Sequence, residues 1–432
     1  MVETGGKFLE DYKIVLSSDK VLCYGGGQMG AWVGNYLMRL GIPVVGYIDK
    51  KRTGKLNNLP IFSIEETREF FDGTIPIIIT IADSNIHDVI RNELNIAGFK
   101  NIFSYDSINW ITVPSDKCYC NSLFHDVLLF TNGFAQCCNW GDNRVFIPEL
   151  FDRSKSFEES CTNYIRKRKY YLNQAAKGEV PLYCANCPYL EKRDELGDAD
   201  NSVEFISFAV TASCNLECVY CTAVEPKLRA NLFYDAKGYG ELFVQLISQL
   251  HEKNVIGKNA HISFAGGEIS IHPVKEKFFQ FAKAHPEYRY SFLSNCVIYD
   301  SSISQILQID EKNFVMCDID AGTRDTYALI KGHDYFDAVI ESIKKYRSYG
   351  KVVLKYIIIP YFNTSERDYD GTLELLKQFD IKSMILSWDV QRQYDSYLER
   401  RALYDVARLK KMIESHNMNA VIEPTVFDKR QL

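Results

Sequence analysis

Between Phe208 and Cys221 the chain reads FAVTASCNLECVYC. The apolar run over 205–211 predicts a strand, and it passes straight into a loop that carries Cys214, Cys218 and Cys221. The spacing is C-x3-C-x2-C, with the aromatic Tyr220 just before the last cysteine. So close together, the three thiols cannot all pair with one another as disulfides, but they can all reach one metal centre from a single loop. A structural zinc would want a fourth ligand to close its site. An iron–sulfur cube also takes thiolate ligands. Three ligands for four irons would leave one iron open to a substrate or cosubstrate.

The rest of the chain frames that loop. Its 432 residues predict two to four domains. The net charge of −6 argues against nucleic acid as the main partner, which would favour a basic face. The opening segment MVETGGKFLEDYK lacks an apolar core, and the apolar run over 75–81 is too short to span a bilayer. A cytoplasmic location with no membrane span is therefore expected. In that compartment 13 cysteines point to metal or redox chemistry rather than to disulfides.

Downstream of the loop, strands and helices alternate, as in parallel α/β architectures. The strand at 261–264 runs into AGGE, residues Ala265 to Glu268. The strand at 290–293 ends in Ser294, Asn295 and Cys296, and a fourth lies in VMCDIDAGTRDTYALIKG. Strand alternation would put Asp318 and Asp320 on one face. Lys355 interrupts an apolar strand over 352–360, either to meet a ligand or to snorkel outward. Asp389 sits near the end of a strand over 384–390. Active sites of β/α barrels lie at the C-terminal ends of the strands.

Taken together, the cysteine loop, the GGE turn and the fourth-strand acids resemble the radical SAM superfamily. The resemblance implies a partial (β/α)6 barrel and a 4Fe–4S cluster on Cys214, Cys218 and Cys221. Its open iron would chelate S-adenosylmethionine, whose reductive cleavage gives a 5′-deoxyadenosyl radical. It also implies that Tyr220, Gly266, Gly267, Glu268, Ser294, Asn295, Asp318, Asp320 and Lys355 surround the cofactor. In this reading Glu268 faces the methionyl ammonium, the two aspartates face the ribose, and Lys355 faces the carboxylate. Cys296 and Cys317 are candidate hydrogen donors, with core packing as the plainer role.

Residues 1–112 read as a Rossmann-like unit. A strand over 21–24 leads into GGGQMG, a G-x-G-x-x-G turn at Gly25, Gly27 and Gly30, then a helix. A second strand ends at Asp49, where a ribose-binding carboxylate would sit. The unit resembles small domains of sugar-nucleotide and surface-polysaccharide enzymes. A nucleotide is its candidate ligand, and close packing of helix on sheet is the plainer reason for its glycines.

Residues 113–200 hold a second set of cysteines: Cys118, Cys120, Cys137, Cys138, Cys161, Cys184 and Cys187. A hairpin turned at Asn132–Gly133 would bring the first pair near the second, and Cys184–x2–Cys187 could close the site. The block resembles the SPASM/twitch auxiliary-cluster domains, although those normally follow the barrel. Cys120, Cys138, Cys184 and Cys187 are the favoured ligands of a second 4Fe–4S cluster, with zinc as the alternative.

The expectation is thus an α/β enzyme of three parts: a Rossmann-like domain (1–112), a cysteine-rich SPASM-like domain (113–200) and a radical SAM barrel closed by a C-terminal helix (201–432). Its substrate would be a small molecule, a nucleotide-linked sugar or polysaccharide intermediate, or alternatively a peptide to be modified. A flavodoxin or ferredoxin would supply electrons. The rival reading is a non-catalytic iron–sulfur electron carrier.

Overall fold

A computed structural model describes residues 13–39, 41–81, 83–105, 111–129, 135–136, 155–184, 187, 190–192, 202–209, 214–221, 236–265, 267–388 and 396–423. The chain forms two compact units. One comprises residues 1–127, 133–202 and 248–255, and the other comprises 128–132, 203–247 and 256–432.

The first unit begins with β1 (Val21–Tyr24), α1 (Gln28–Arg39) and β2 (Val44–Ile48). A hairpin follows, β3 (Gly54–Leu56) and β4 (Leu59–Phe62). It turns through Asn57 and Asn58, both at positive φ. That turn chemistry explains a hairpin the sequence reading passed over. Next come α2 (Ile64–Phe70), opened by a Ser63–Glu66 capping box, β5 (Ile77–Ile79), α3 (His87–Ile96) and β6 (Ile102–Ser104). The sheet order is β3-β4-β2-β1-β5-β6, with only β3 antiparallel.

The glycine turn after β1 is filled by its own chain. A Cβ on Gly30 would lie 1.7 Å from the Gly25 carbonyl oxygen, so α1 packs directly on the turn. A Cβ on Gly27 would meet nothing within 4 Å. Asp49 follows β2 as expected, but both its carboxylate oxygens are engaged. Oδ2 accepts from the Gly26 N–H (2.7 Å), and Oδ1 accepts from the N–H groups of Lys51 (2.8 Å) and Arg52 (3.0 Å).

The cysteine-rich part of this unit holds β7 (Thr112–Pro114), α4 (Phe157–Ala175, opened by a Ser156–Glu159 capping box) and β8 (Glu179–Pro181), which pairs antiparallel with β7. The expected hairpin strands occur at Asp126–Leu129 and Ala135–Gln136. Its turn at 132–133, and Cys137 and Cys138, lie outside the described residues.

The second unit is built on seven parallel strands: β9 (Val203–Ala209), β10 (Ile256–Ala265), β11 (Arg289–Ser294), β12 (Phe314–Asp318), β13 (Lys351–Ile358), β14 (Ser383–Trp388) and β15 (Asn419–Ile422). They lie in sequence order, so every crossover steps one strand in the same direction, the winding of a β/α barrel. Six strands were expected; β15, from a stretch that carried no motif, is the seventh. Between them run α5 (Ala236–Glu252), α6 (Lys275–Ala284), α7 (Ser301–Leu307), α8 (Arg324–Lys331), α9 (Phe336–Tyr349), α10 (Glu366–Gln378) and α11 (Ser396–Glu414). On the helix side, the rings of Phe208 and Phe243 stack at 4.2 Å, and Phe278 closes on both. This aromatic core fixes the sheet that carries the site.

Candidate active site at the cysteine loop

The cysteine loop leaves the end of β9 and is held from two sides. Toward α8, the Glu217 N–H donates to the Lys331 carbonyl (3.0 Å) and the Val219 N–H to the Ile330 carbonyl (2.9 Å). A Cβ at Gly332 would lie 2.9 Å from Glu217 Cβ, and Gly332 adopts φ +76°. Glycine there both ends α8 and lets the loop dock. Toward β11, the Asn295 amide donates to Asn215 Oδ1 (2.7 Å) and to Cys214 Sγ (3.6 Å). Cys214, Cys218 and Cys221 are free thiols of intermediate burial. Burial pushes the Cys218 thiol up to about 11, against the pull of the Lys331 ammonium. Burial also raises the Cys214 thiol.

Glu268 follows β10 and is 1% exposed. Its Oε1 accepts from the Ser270 N–H (2.9 Å) and Ser294 Oγ (2.9 Å), and Oε2 accepts from the Asn295 N–H (2.7 Å). Burial holds its carboxyl above the ordinary range even so. The sequence reading gave this carboxylate to an ammonium. Here it ties the end of β10 to the end of β11, and through Asn295 to Cys214. Gly267, at φ +63°, precedes it; Gly266 lies outside the described residues.

The acids after the fourth strand divide. β12 ends at Asp318, and Asp320 turns back at φ +55°, which breaks the alternation that would have placed both on one face. Asp320 is fully buried, and both its carboxylate oxygens are engaged by its own chain. Oδ2 meets Lys331 Nζ (2.5 Å) and accepts from Tyr220 Oη (2.6 Å), and Oδ1 accepts from the Ile357 N–H (2.6 Å). Tyr220 and Asp320 are therefore partners of each other. Asp318 instead has a buried Oδ1 with no partner, and burial raises its carboxyl. It stands in register with Lys355 on β13. Burial works against the Lys355 ammonium, but Asp318 and Glu423 more than offset it and hold it above its usual range. Lys355 Nζ lies 3.1 Å from Glu423 Oε2, just past β15.

Cys296 and Cys317 are both fully buried. Cys317 alternates with Met316 and Asp318 and so faces away from them. Cys317 Sγ faces the Asn295 carbonyl (3.9 Å) and Cys296 Sγ the Ser294 carbonyl (3.7 Å). Two site residues escaped the sequence reading. Glu423 had no motif around it. Lys331 had a signal: it shares the buried side of α8 with Tyr327 and Ile330, at helical spacing. Asp389 lies outside the described residues.

In the first unit, Cys120 and Cys184 are buried in one core with Tyr119, Phe124 and Tyr171, and Cys118 and Cys187 pack against it. Tyr119 and Glu191 exchange backbone hydrogen bonds of 3.1 and 2.8 Å, drawing the two cysteine segments together. Cys161 is also buried but belongs to α4.

The sequentially wound parallel β/α wall thus carries three free thiols on the loop after its first strand. Residues 208–376 match the family described as the Radical SAM superfamily. That match covers less than half of the chain, and the similarity is confined to this domain. It is 24% identical over 169 residues to the uncharacterized protein MJ0804 of Methanocaldococcus jannaschii, covering 39% of this chain and 52% of that protein. It is 22% identical over 183 residues to the GTP 3′,8-cyclase of Chlorobaculum tepidum, covering 42% and 52%. The chain thus spans about half the length of these curated relatives. Among solved structures, Streptococcus suis SuiB bound to its precursor peptide SuiA aligns at 14% identity and a TM-score of 0.41, covering 66% of this chain and 57% of that one.

The radical SAM fold implies a 4Fe–4S cluster and S-adenosylmethionine. The loop fits such a cluster: its donors are three free thiols, and the Asn295 amide hydrogen-bonds one of them. Among the described residues no helix is long and apolar enough to cross a membrane.

Proposed function

We propose that this chain is a radical SAM enzyme whose barrel abstracts a hydrogen atom from a substrate carbon. The observation that carries the reading is the doubly anchored cysteine loop at the C-terminal end of β9. When bound, the cluster supplies the electron that cleaves S-adenosylmethionine reductively. The chain's own residues do the rest. Cys214, Cys218 and Cys221 hold the cluster as thiolates. Glu268 and Asn295 fix the rim beside Cys214. Asp318, with its unpartnered oxygen, and Lys355 offer hydrogen-bonding groups of opposite charge to the polar part of a ligand. The aromatic packing behind the sheet keeps that geometry rigid.

The substrate we favour is a nucleotide-linked sugar or polysaccharide intermediate, supported by the parallel β-α-β unit at the N-terminus. A flavodoxin or ferredoxin serves as electron donor. The second cysteine set holds a further metal centre. Cys120, Cys184 and Cys187 are drawn to one core, and Cys138 is the expected fourth ligand. The test is anaerobic reconstitution, then incubation with S-adenosylmethionine and dithionite and chromatography for 5′-deoxyadenosine. Wild type should form it and Cys218→Ala should not. An iron-loaded wild type that neither binds S-adenosylmethionine nor forms product would leave an electron carrier.

A further inference from the structure

The end of α8 lies against the cysteine loop, and Lys331 is its last residue. The Lys331 carbonyl takes the Glu217 N–H, while its side chain meets the Asp320 carboxylate at 2.5 Å and Tyr220 Oη at 3.0 Å. The ammonium also stands 5.4 Å from the centre of the Tyr220 ring. The Lys331 and Asp320 side chains are 1% and 0% exposed. Asp320 is in turn pinned by the Ile357 N–H, and the Asn363 amide donates to its carbonyl at 2.8 Å.

Burying two charges costs about as much as their attraction returns, so stability alone does not account for such a pair. Its placement does. Lys331 holds the loop through main chain on one side and through Tyr220 on the other, with Cys218 between. Lys331 Nζ, 3.0 Å from Tyr220 Oη, places a buried positive charge against the loop two residues from Cys218.

We propose that Lys331 is a positioning residue for the cysteine loop, its ammonium fixed by Asp320 and Tyr220 so that it both docks residues 217–219 and holds a buried positive charge beside the loop. The inference rests on reading this loop as the cluster loop. Cluster ligands bind as thiolates, which a nearby cation favours. Reducing the cluster adds a negative charge, which the same cation also favours. Charge and hydrogen bonding near the sulfurs set the potential of such centres.

The experiment compares full-length wild type with Lys331→Met, Lys331→Arg and Tyr220→Phe. In the metal-free proteins, hydrogen exchange of the peptide over 214–221 is read by mass spectrometry. In the reconstituted proteins, the cluster midpoint potential is read by EPR redox titration. Lys331→Met should lose loop protection by about tenfold or more and shift the potential to more negative values. Lys331→Arg should recover most of both, and Tyr220→Phe should lose protection with a smaller shift in potential. An iron-loaded Lys331→Met with wild-type protection and wild-type potential overturns the proposal. If Lys331→Met does not fold, Tyr220→Phe decides: unchanged loop protection overturns the docking role. A wild type that assembles no cluster counts against the cluster reading, while the exchange data still judge the docking.

Discussion

Replacing Glu268 by glutamine tests the rim of the site most directly, because it changes one atom of a fully buried carboxylate. The carboxylate accepts three hydrogen bonds and donates none. A glutamine amide has one acceptor oxygen. If that oxygen serves Ser270 and Ser294, the NH2 must face the Asn295 N–H, donor against donor. A buried donor left without an acceptor costs about 1–3 kcal/mol. Removing a charge that burial already disfavours returns part of that. The net loss is about 2 kcal/mol, or roughly 4–8 °C in the Tm of a unit of this size. Ser294→Ala provides the scale: it removes one donor, leaves Oε1 still accepting from Ser270, and should cost about 1 kcal/mol. Thermal unfolding of the metal-free protein is the assay, so that cluster loading does not enter. Asn295 carries the loss onward, since its amide contacts Cys214 and Asn215. Glu268→Gln should therefore also speed hydrogen exchange in the 214–221 peptide. A variant that melts with wild type, with the loop equally protected, would show that Glu268 is not what joins β10, β11 and the loop.

His261, bonded to Ser291 Oγ at 2.7 Å, is lowered by burial from 6.5 to about 4. Its contribution to stability is complete above pH 6.5 and is lost as the pH falls toward 4, by about 2 kcal/mol at pH 5. Urea unfolding at pH 7.5 and 5.0 should show that difference in wild type and lack it in His261→Asn. Gly332→Ala meets both the left-handed φ of +76° and the contact with Glu217, and should cost about 2–3 kcal/mol in thermal unfolding. Gly30→Ala should destabilise the first unit by a similar margin, about 2–3 kcal/mol, because its Cβ would overlap the Gly25 carbonyl. Tolerance of that substitution in a melt would show that α1 can slide off the turn. Cys184→Ala should lower bound metal, read by elemental analysis, while Cys161→Ala leaves it unchanged.

The barrel was legible because its signals are local. The cysteine spacing, the GGE turn and the strand–helix alternation are each written within a few residues. The wall of parallel strands and the placement of Glu268, Ser294 and Asn295 around Cys214 follow from them. What was not legible depends on where a chain turns. Asp318 and Asp320 look equivalent while the strand is assumed to continue, but β12 stops between them, and Asp320 then faces Tyr220 and Lys331. The same holds for Asp49, whose place after β2 was readable. That its oxygens are filled by the N–H groups of Gly26, Lys51 and Arg52 was not. Glu423 reaches Lys355 only because β15 extends the sheet beyond the expected six strands.

These partnerships also narrow the question of what the barrel can hold. A polar side chain can serve a ligand only with capacity its own chain has not filled. By that measure Asp320 and Tyr220 have little left to offer: each side-chain oxygen already has a partner, one lone pair on Asp320 Oδ1 is spare, and displacing a partner would strand the Lys331 charge. Glu268 keeps a single spare lone pair on Oε2. Asp318 is different, because its Oδ1 is buried and unpartnered, and a carboxylate so placed costs free energy until a donor reaches it. Lys355 stands in register with it and shares its ammonium with Glu423 on the rim. A ligand that reached this wall would therefore meet an open oxygen on Asp318, while any anionic group it carried would compete with Glu423 for Lys355.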